Sequence, residues 1–224
     1  MARYLTADHV QLQEQVLDFA RERIEPVARD LDERSEFPWE NVKAMAENGW
    51  LGVPIPKELG GMGRDYLSYI LVVEELAKFD ASHSITISAH TTLGTSPILA
   101  FGDEDQKRRF IPPLAGGEVL GGFGLTEPGA GSDASGTRTR AVRENGGYRV
   151  NGSKIFITHA GVGEIFTVTA VTDPEAGARG ISSFVMCKPT VDLEKAESIG
   201  FGHKDDLPHT EGLRAGKKED KMGW

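Results

Sequence analysis

A glycine-rich stretch in the middle of the chain, GGFGLTEPGAGSDASG (residues 121–136), combines residue types that can bind an anion. It holds six glycines and little side-chain bulk after Leu125, yet it keeps the hydroxyl groups of Thr126 and Ser132. Glycine lets a ligand touch the main chain, consecutive N–H groups can form a concave anion site, and hydroxyls add rotatable donors. The pattern is compatible with a cradle for a phosphate-bearing cofactor, and also with a flexible surface turn, the commoner role of such loops.

The same stretch matches a dinucleotide-binding pattern, G-x-G-x-x-A, at Gly129, Gly131 and Ala134. That pattern is meaningful only between a strand and a helix of a βαβ unit. The residues that follow, 137–158, alternate as a strand does, and no GK[ST] triplet follows the glycines. We therefore expect that a cofactor bound here lies on a β scaffold.

Composition and charge narrow the class of function. The 224 residues carry a formal net charge of −9, which argues against a nucleic-acid partner because a surface that neutralises phosphate is basic. The single cysteine, Cys187, excludes a disulfide within the chain and a zinc–thiolate cluster, and its apolar neighbours predict a buried thiol. With no signal-peptide pattern and no apolar run of membrane-spanning length, a cytoplasmic location is the default expectation.

The first half of the chain has helical periodicity. Apolar residues recur three and four positions apart from Thr6 to Gly116. We predict that Asp8 caps the first helix, that Pro26 kinks it, and that Asp65 caps a largely apolar central helix. A further helix, 103–117, begins with acidic residues and is predicted to end at its two prolines.

From Val119 the hydrophobic period changes to two. Asn145-Gly146 and Asn151-Gly152 separate three short alternating runs, and Asn-Gly between such runs is a strong hairpin signal. Two more strands are predicted within 164–172 and 180–188. The predicted fold class is therefore α+β, with an all-helical domain (1–118) followed by an antiparallel β-sheet or barrel domain (119–224).

Several segments resemble the acyl-CoA dehydrogenase family along nearly the whole chain. They are GWLGVPIPKELGG (49–61), VVEELAKFDAS (72–82), ILAFGDEDQKRRFIPPLAGGE (98–118), LTEPGAGSDASGTRTRA (125–141), YRVNGSKIFIT (148–158) and GLRAGKKEDKMGW (212–224). The resemblance implies a helical domain and a middle β-barrel domain that is incomplete at its C-terminus. No segment resembles the family's C-terminal four-helix bundle, so we expect a fragment that stops inside a domain.

The resemblance also implies what the glycine-rich stretch binds, because the family's signature loop contacts non-covalently bound FAD. It carries nine FAD-contacting positions over to Phe123, Gly124, Leu125, Thr126, Gly131, Ser132, Phe156, Ile157 and Thr158. Among these, Phe123, Leu125 and Thr126 would line the isoalloxazine ring.

The remaining implied contacts concern the phosphates and the reactive edge of the flavin. Gly131 and Ser132 would serve the pyrophosphate, and Ser132 would also lie near the acyl-CoA substrate. Phe156 takes the position of an aromatic residue packed on the flavin. Thr158 would donate its hydroxyl toward flavin N5, where a donor suits the reaction.

The reaction that the resemblance implies is α,β-dehydrogenation of an acyl-CoA thioester to 2-enoyl-CoA, with electrons passed to an electron-transfer flavoprotein. In the family, the carboxylate base lies in the C-terminal bundle, so we assign no catalytic residue in this chain and expect it to be inactive alone. Glu127, next to Pro128, is interpreted as a turn carboxylate. The family implies a homotetramer or a homodimer for the complete protein.

Other interpretations stay open at this point. One is a flavin-dependent oxidase or monooxygenase on the same fold. Another is a non-catalytic relative that binds FAD or acyl-CoA, or a DNA-repair-associated relative, which the acidic net charge disfavours. A third is a domain without cofactor. A metal site at His203 and His209, which flank Asp205-Asp206, is not predicted because a third clear ligand is missing.

Two departures from the family pattern stand out. His159 occupies a position where the family usually has asparagine, which puts the hydrogen bonding after Thr158 in doubt. The connection Lys188–Gly212 is longer than the family's usual link. It could shape the mouth of the CoA channel or decorate the surface.

Overall fold

The computed structural model describes residues 4–190, 193–202 and 207–216. Helices dominate the first half, and one more helix follows the sheet. Their bounds are α1 Ala7–Phe19, α2 Ala28–Arg34, α3 Trp39–Glu47, α4 Tyr66–Ala77, α5 Ala81–Ala89, α6 Ser96–Phe101, α7 Glu104–Ala115 and α8 Leu193–Ser198. Within the described residues, no helix combines the length and apolar character needed to cross a membrane.

The start of α1 differs from the sequence prediction. Thr6, not Asp8, is the cap: its Oγ1 accepts the N–H of His9 at 3.3 Å, and His9 Nδ1 accepts the N–H of Thr6 at 3.1 Å. This is a capping box with histidine in the place usually taken by Glu or Gln. Asp8 lies in the first turn, where its charge still favours the helix dipole.

The predicted interruption near Pro26 is confirmed. α1 continues through a π-helical segment, Ala20–Ile24, and the chain leaves the helix before α2 begins at Ala28. The predicted cap at Asp65 is also confirmed, since its carboxylate accepts the N–H of Ser68 at 2.8 Å.

The end of α7 was predicted incorrectly. The helix does not stop at Pro112 and Pro113 but continues through both to Ala115. Prolines remove helical hydrogen bonds, so packing must hold this last turn. Ile111 and Leu114, on either side of the pair, are fully buried and supply that packing.

The second half forms one five-stranded sheet. Its strands are β1 Gly121–Gly124, β2 Arg140–Glu144, β3 Gly147–Asn151, β4 Ile165–Val171 and β5 Ile181–Cys187. β4 is central: β5 pairs with it antiparallel, β1 pairs with it parallel, and β2 meets it only at the Arg140–Val171 pair. The helical-then-sheet architecture is confirmed, but the sheet is mixed rather than antiparallel throughout.

The two Asn-Gly signals have different outcomes. Asn145-Gly146 forms the β2–β3 hairpin, with both residues at positive φ (51° and 81°) as a type I′ turn needs. Asn151-Gly152 does not start a second hairpin, because residues 152–158 form no strand. A Cβ at Gly152 would lie 2.3 Å from Thr139 Oγ1, so this glycine serves a close packing contact.

The sheet curls enough for its outer strands to touch. The rings of Tyr148 on β3 and Phe184 on β5 lie 5.1 Å apart in an edge contact. A small apolar cluster of Phe166, Val168 and Met186 lies on one face of the sheet, with Phe184 packed against it. This curvature is the barrel-like feature of the sheet. Among the described strands, β3 and β5 touch but do not pair with each other.

A shared core joins the helical region to the other face of the sheet. It includes Ile55 and Leu114 from the helices and Ile165 and Cys187 from the sheet. Cys187 is buried as predicted, and burial raises the pKa of its thiol to about 12. The division into domains at residue 118 stays a prediction.

Candidate functional site

The glycine-rich stretch leaves the sheet at the end of β1 and folds into a tight turn. Glu127 and Ala130 exchange backbone hydrogen bonds of 3.0 and 3.1 Å across Pro128-Gly129. After the turn, residues 131–135 are exposed, including Gly131 and Ser132. The chain therefore presents a short exposed backbone segment directly behind a rigid turn.

The Glu127 side chain anchors this turn from inside. Its buried carboxylate accepts hydrogen bonds from the hydroxyl of Thr137, from the N–H groups of Arg138 (2.7 Å) and Thr139 (3.0 Å), and from Lys154 Nζ (2.7 Å). The interpretation of Glu127 as a turn carboxylate is confirmed. Its lone pairs are occupied by the protein itself.

Two opposing effects set the pKa of Glu127. Burial raises it, but the hydrogen bonds from Lys154, Thr137, Thr139 and Arg138 outweigh burial and hold the pKa well below its ordinary value. Glu127 is therefore ionised throughout the ordinary pH range and is a poor proton acceptor.

Lys154 ties the second predicted cofactor stretch to the first. Besides its ion pair with Glu127, its Nζ donates to the carbonyl of Leu125 at 2.9 Å. Next to it, the N–H of Ile155 donates to the carbonyl of Thr126 at 2.8 Å. The sequence analysis missed Lys154; the signal that could have found it is the need of a buried glutamate for a cationic partner.

The two stretches also meet at the start of β1. A Cβ on Gly122 would lie 2.7 Å from the carbonyl oxygen of Thr158, so only glycine lets these backbones pack. His159 Nδ1 donates to the carbonyl of Gly121 at 2.8 Å. The structure thus brings residues 121–126 and 155–159 side by side, joined at both ends.

Between these joints the chain presents apolar side chains to solvent. Phe156 is 72% exposed and Leu125 is 36% exposed. Phe156 also has a positive φ of 56°, which is strained for an aromatic residue. Backbone strain that projects a ring outward is a feature of binding sites, where a ligand covers the ring.

The space around Gly129 and Gly131 shows whether this part of the chain could accommodate a cofactor. A Cβ built on Gly129 or on Gly131 would meet nothing within 4 Å, and neither residue has a positive φ. Packing and conformation within the described residues thus do not require glycine there. Open main chain beside the hydroxyl of Ser132 suits the phosphates of a nucleotide cofactor.

A pair of buried histidines holds the other end of β1, at Gly121. His90 Nδ1 accepts the N–H of Gly121 at 3.1 Å, and its Nε2 donates to the carbonyl of Leu114 at 2.9 Å. Burial lowers the pKa of His90 to about 3 and of His159 to about 4, so both rings are neutral. The role of His90 was not predicted from the sequence, because nothing in the helical pattern around it indicates a contact with Gly121.

No metal site was predicted at His203 and His209, and most of the residues concerned are not among those that the structure describes. His203 and Asp205-Asp206 lie outside the described residues. In the part of the chain that the structure describes, no three His, Cys, Asp or Glu side chains converge to hold a metal ion.

Comparison with known proteins matches two family models in series. Residues 6–118 match the acyl-CoA dehydrogenase N-terminal domain, and residues 122–224 match the middle domain. This chain belongs to the acyl-CoA dehydrogenase family. The architecture expected from the family, a helical region followed by a sheet region, is the one observed.

Curated members of the family are similar over almost the whole chain. An acyl-CoA dehydrogenase of Bacillus subtilis (strain 168) is 41% identical over 220 residues, which are 98% of this chain and 53% of that relative. A short-chain specific acyl-CoA dehydrogenase of Clostridium acetobutylicum is 42% identical over 98% of this chain and 52% of the relative. The chain spans about half the length of the curated relatives it matches.

Solved acyl-CoA dehydrogenase structures share the fold. Butyryl-CoA dehydrogenase from Megasphaera elsdenii aligns with a TM-score of 0.79 at 41% identity, over 82% of this chain and 49% of its own. An acyl-CoA dehydrogenase complexed with FAD from Bacillus anthracis aligns with a TM-score of 0.76 at 34% identity, over 83% and 32%. A chain from a study of the electron transferring flavoprotein of Acidaminococcus fermentans aligns at 0.80 and 42%, over 82% and 48%.

Proposed function

We propose that this acyl-CoA dehydrogenase chain binds FAD along the joined stretches 121–132 and 154–159. One observation carries the proposal. The two stretches are joined by the Glu127–Lys154 and Gly121–His159 contacts, and they expose the ring of Phe156, at positive φ, and the open backbone at Gly131. The related structures complexed with FAD or FADH2 support it.

The nine predicted cofactor residues divide into two groups in this proposal. The surface that faces the flavin ring, here called the flavin platform, has two edges. Its β1 edge is formed by Phe123, Gly124, Leu125 and Thr126, and its opposite edge by Phe156, Ile157 and Thr158. The exposed ring of Phe156 packs on the flavin and keeps water from it.

A second, polar part of the proposed site lies behind the turn. The exposed backbone at Gly131 and the hydroxyl of Ser132 hold the pyrophosphate, and Ser132 also lies near the acyl-CoA. On the flavin platform, Thr158 directs its hydroxyl to the flavin edge. Glu127 and Lys154 do not contact FAD in this proposal; they fix the turn that carries the polar part.

The proposed reaction of the complete protein is α,β-dehydrogenation of an acyl-CoA thioester to 2-enoyl-CoA. FAD, when bound, supplies the two-electron acceptor that this reaction needs. The carboxylate that removes the α-proton is not assigned in this chain, because Glu127 is ionised yet fully hydrogen-bonded. We expect the chain of 224 residues to bind FAD but to be inactive by itself.

The partners proposed for the complete protein follow the family. They are an electron-transfer flavoprotein that accepts the electrons and further copies of the chain in a homodimer or homotetramer. A cytoplasmic location, the absence of a nucleic-acid partner and the absence of a bound metal belong to the same proposal.

The test measures FAD binding and turnover separately. Residues 1–224 are refolded with FAD and passed over a desalting column; retention of yellow colour supports the cofactor site, and a colourless protein overturns it. The same sample is assayed for acyl-CoA-dependent dye reduction, for which we expect no signal. Robust turnover would contradict the assignment of the base to residues outside this chain.

The complete gene product then separates dehydrogenase from oxidase. With acyl-CoA as reductant, we expect electrons to reach an electron-transfer flavoprotein. Stoichiometric hydrogen peroxide instead would establish the oxidase alternative.

A further inference from the structure

The long connection after β5 is anchored to the rest of the molecule by a few buried residues, among them Ala196 and Phe201. We name one part of this connection, residues 188–190 and 193–202, the strap. Its first residue continues the sheet, with the N–H of Lys188 donating to the carbonyl of Glu164 at 3.0 Å. At its far end the N–H of Gly202 donates to the carbonyl of Glu118 at 2.8 Å, and Phe201 is only 3% exposed.

The strap grips the loop that follows the second cofactor stretch. The Nζ of Lys188 donates to the carbonyl of Gly163 at 3.0 Å and lies 5.4 Å over the ring of Phe166. The hydroxyl of Thr190 donates to the carbonyl of Gly161 at 3.3 Å. The strap thus donates hydrogen bonds to two carbonyls of the His159–Gly163 loop.

An aromatic chain gives the strap a second route to the same loop. Phe201 contacts Trp39 at 5.5 Å between ring centroids, Trp39 contacts Phe37 at 4.8 Å, and Phe37 contacts the imidazole of His159 at 6.4 Å. All three are edge contacts. Through Trp39 and Phe37, these ring contacts link Phe201 to the ring of His159.

The loop has limited support of its own. The carbonyl of His159 accepts the N–H groups of Val162 and Gly163, at 3.0 and 2.6 Å, and a Cβ at Gly161 would meet nothing within 4 Å. His159 has a positive φ of 66°, which needs external contacts to persist in a residue other than glycine.

We propose that the strap is a positioning element for the cofactor edge, and that Lys188 and Phe201 act as positioning residues through His159–Gly163. By holding this loop they fix Thr158, which directly precedes it, and Phe156, two residues before Thr158, against β1. The inference rests on the proposed FAD site and deepens it. Neither role considered from the sequence, shaping the mouth of the CoA channel or decorating the surface, includes this positioning of the loop.

The test uses Lys188→Met, which keeps the length and apolar stem of the side chain but removes its donors. We expect hydrogen exchange at Val162 and Gly163 to be at least about tenfold faster, since a tenfold change corresponds to about 1.4 kcal/mol. We also expect about tenfold weaker FAD binding and a shifted flavin absorption band. The amides of β4 should exchange as in the wild type, which separates a local effect from general unfolding.

A second variant and a control make the result decisive. Phe201→Leu keeps an apolar side chain but loses the ring contact with Trp39, and we expect the same changes at about threefold, in keeping with a ring contact of modest energy. Ser198→Ala is the matched control on α8, because its exposed hydroxyl bonds only Lys195 of the strap itself. It should leave both loop exchange and FAD affinity unchanged.

The outcomes distinguish the two proposals. A wild-type chain that does not bind FAD overturns the proposed function. A wild-type chain that binds FAD, with both variants unchanged in loop exchange and in FAD affinity, overturns only the positioning role. Faster loop exchange with unchanged affinity also overturns it, because the strap would then stabilise a loop that the cofactor does not need.

Discussion

Residues 121–127 of the glycine-rich stretch are held at their two ends by different chemistry. At the Glu127 end, a buried carboxylate and the ammonium group of Lys154 form an ion pair that two backbone N–H groups complete. At the Gly121 end, two neutral imidazoles bind the backbone of Gly121: His90 accepts its N–H, and His159 donates to its carbonyl. The first end depends on charge and the second on the absence of charge.

This difference has a physical consequence for how each end fails. A buried ion pair fails when one partner is removed, because the other charge is left in a low-dielectric site. Buried neutral histidines fail when they are protonated, because burial disfavours the charged form. Substitution should therefore affect the first end most, and acid should affect the second.

The largest effect is expected from Glu127→Gln. Loss of the carboxylate leaves the ammonium of Lys154 buried without a counter-charge, and we expect a loss of about 3–5 kcal/mol in the free energy of unfolding. Urea denaturation measures it. The double variant Glu127→Gln with Lys154→Met is the control and should recover much of the loss; a single-variant cost below about 1 kcal/mol would contradict the role of the pair.

Acid should weaken the Gly121 end next. The pKa of His159 is lowered from 6.5 to about 4 in the folded state, so its contribution is complete above pH 6.5 and is lost as the pH falls toward 4. The loss amounts to about 3 kcal/mol at about 1.4 kcal/mol per pH unit. His90 acts in the same direction, from 6.5 toward 3.

His159→Asn isolates the contribution of one ring to this acid sensitivity. The variant keeps His90, so its stability should fall less steeply than that of the wild type between pH 6.5 and 4.5. The lowered pKa values of Asp65 and Glu127 act mainly at and below the lower edge of that window, because the unfolded chain begins to protonate these carboxylates near their ordinary pKa values of 3.8 and 4.5. Urea denaturation at several pH values measures this slope. If the free energy of unfolding falls equally with pH in wild type and variant, His159 does not have this role.

A smaller effect is expected where the helical region touches β1. A Cβ on Gly94 would lie 2.6 Å from the carbonyl carbon of Gly121, so Gly94→Ala must push β1 away and should cost about 1–3 kcal/mol. Thermal unfolding measures this cost. Gly161→Ala, whose Cβ would point into open space, is the control, and equal costs for the two would argue against the close contact.

The smallest effect on stability is expected beyond the Glu127 end, at Gly131. Gly131→Ala meets no neighbour within 4 Å, so the free energy of unfolding should change by less than about 0.5 kcal/mol. FAD affinity should nevertheless fall, because the new methyl group lies on the backbone proposed to face the pyrophosphate. Gly129→Ala, equally open but not among the predicted contacts, should retain affinity; loss in both or in neither would contradict the assignment.

Local signals in the sequence determined much of the architecture. Helical spacing before residue 118 and alternation after it produced the order of helices and strands, and Asn145-Gly146 formed its hairpin because the type I′ turn needs only its own two residues. The motif LTEPGAGSD placed the chain in its family. Glu127 was recognised as a turn residue from its place before Pro128, because the turn itself is closed locally by the backbone pair of Glu127 and Ala130.

Tertiary structure decided what depends on distant partners. Packing of Ile111 and Leu114 carried α7 past its prolines, and parallel pairing of β1 with β4 was invisible to a period-two pattern. Lys154 and His90 acquired their roles only because folding brings them to Glu127 and Gly121, 27 and 31 positions away. Alternation and caps are set by a few adjacent residues, whereas burial, charge pairing and the path of the strap are set by contacts that no local pattern encodes.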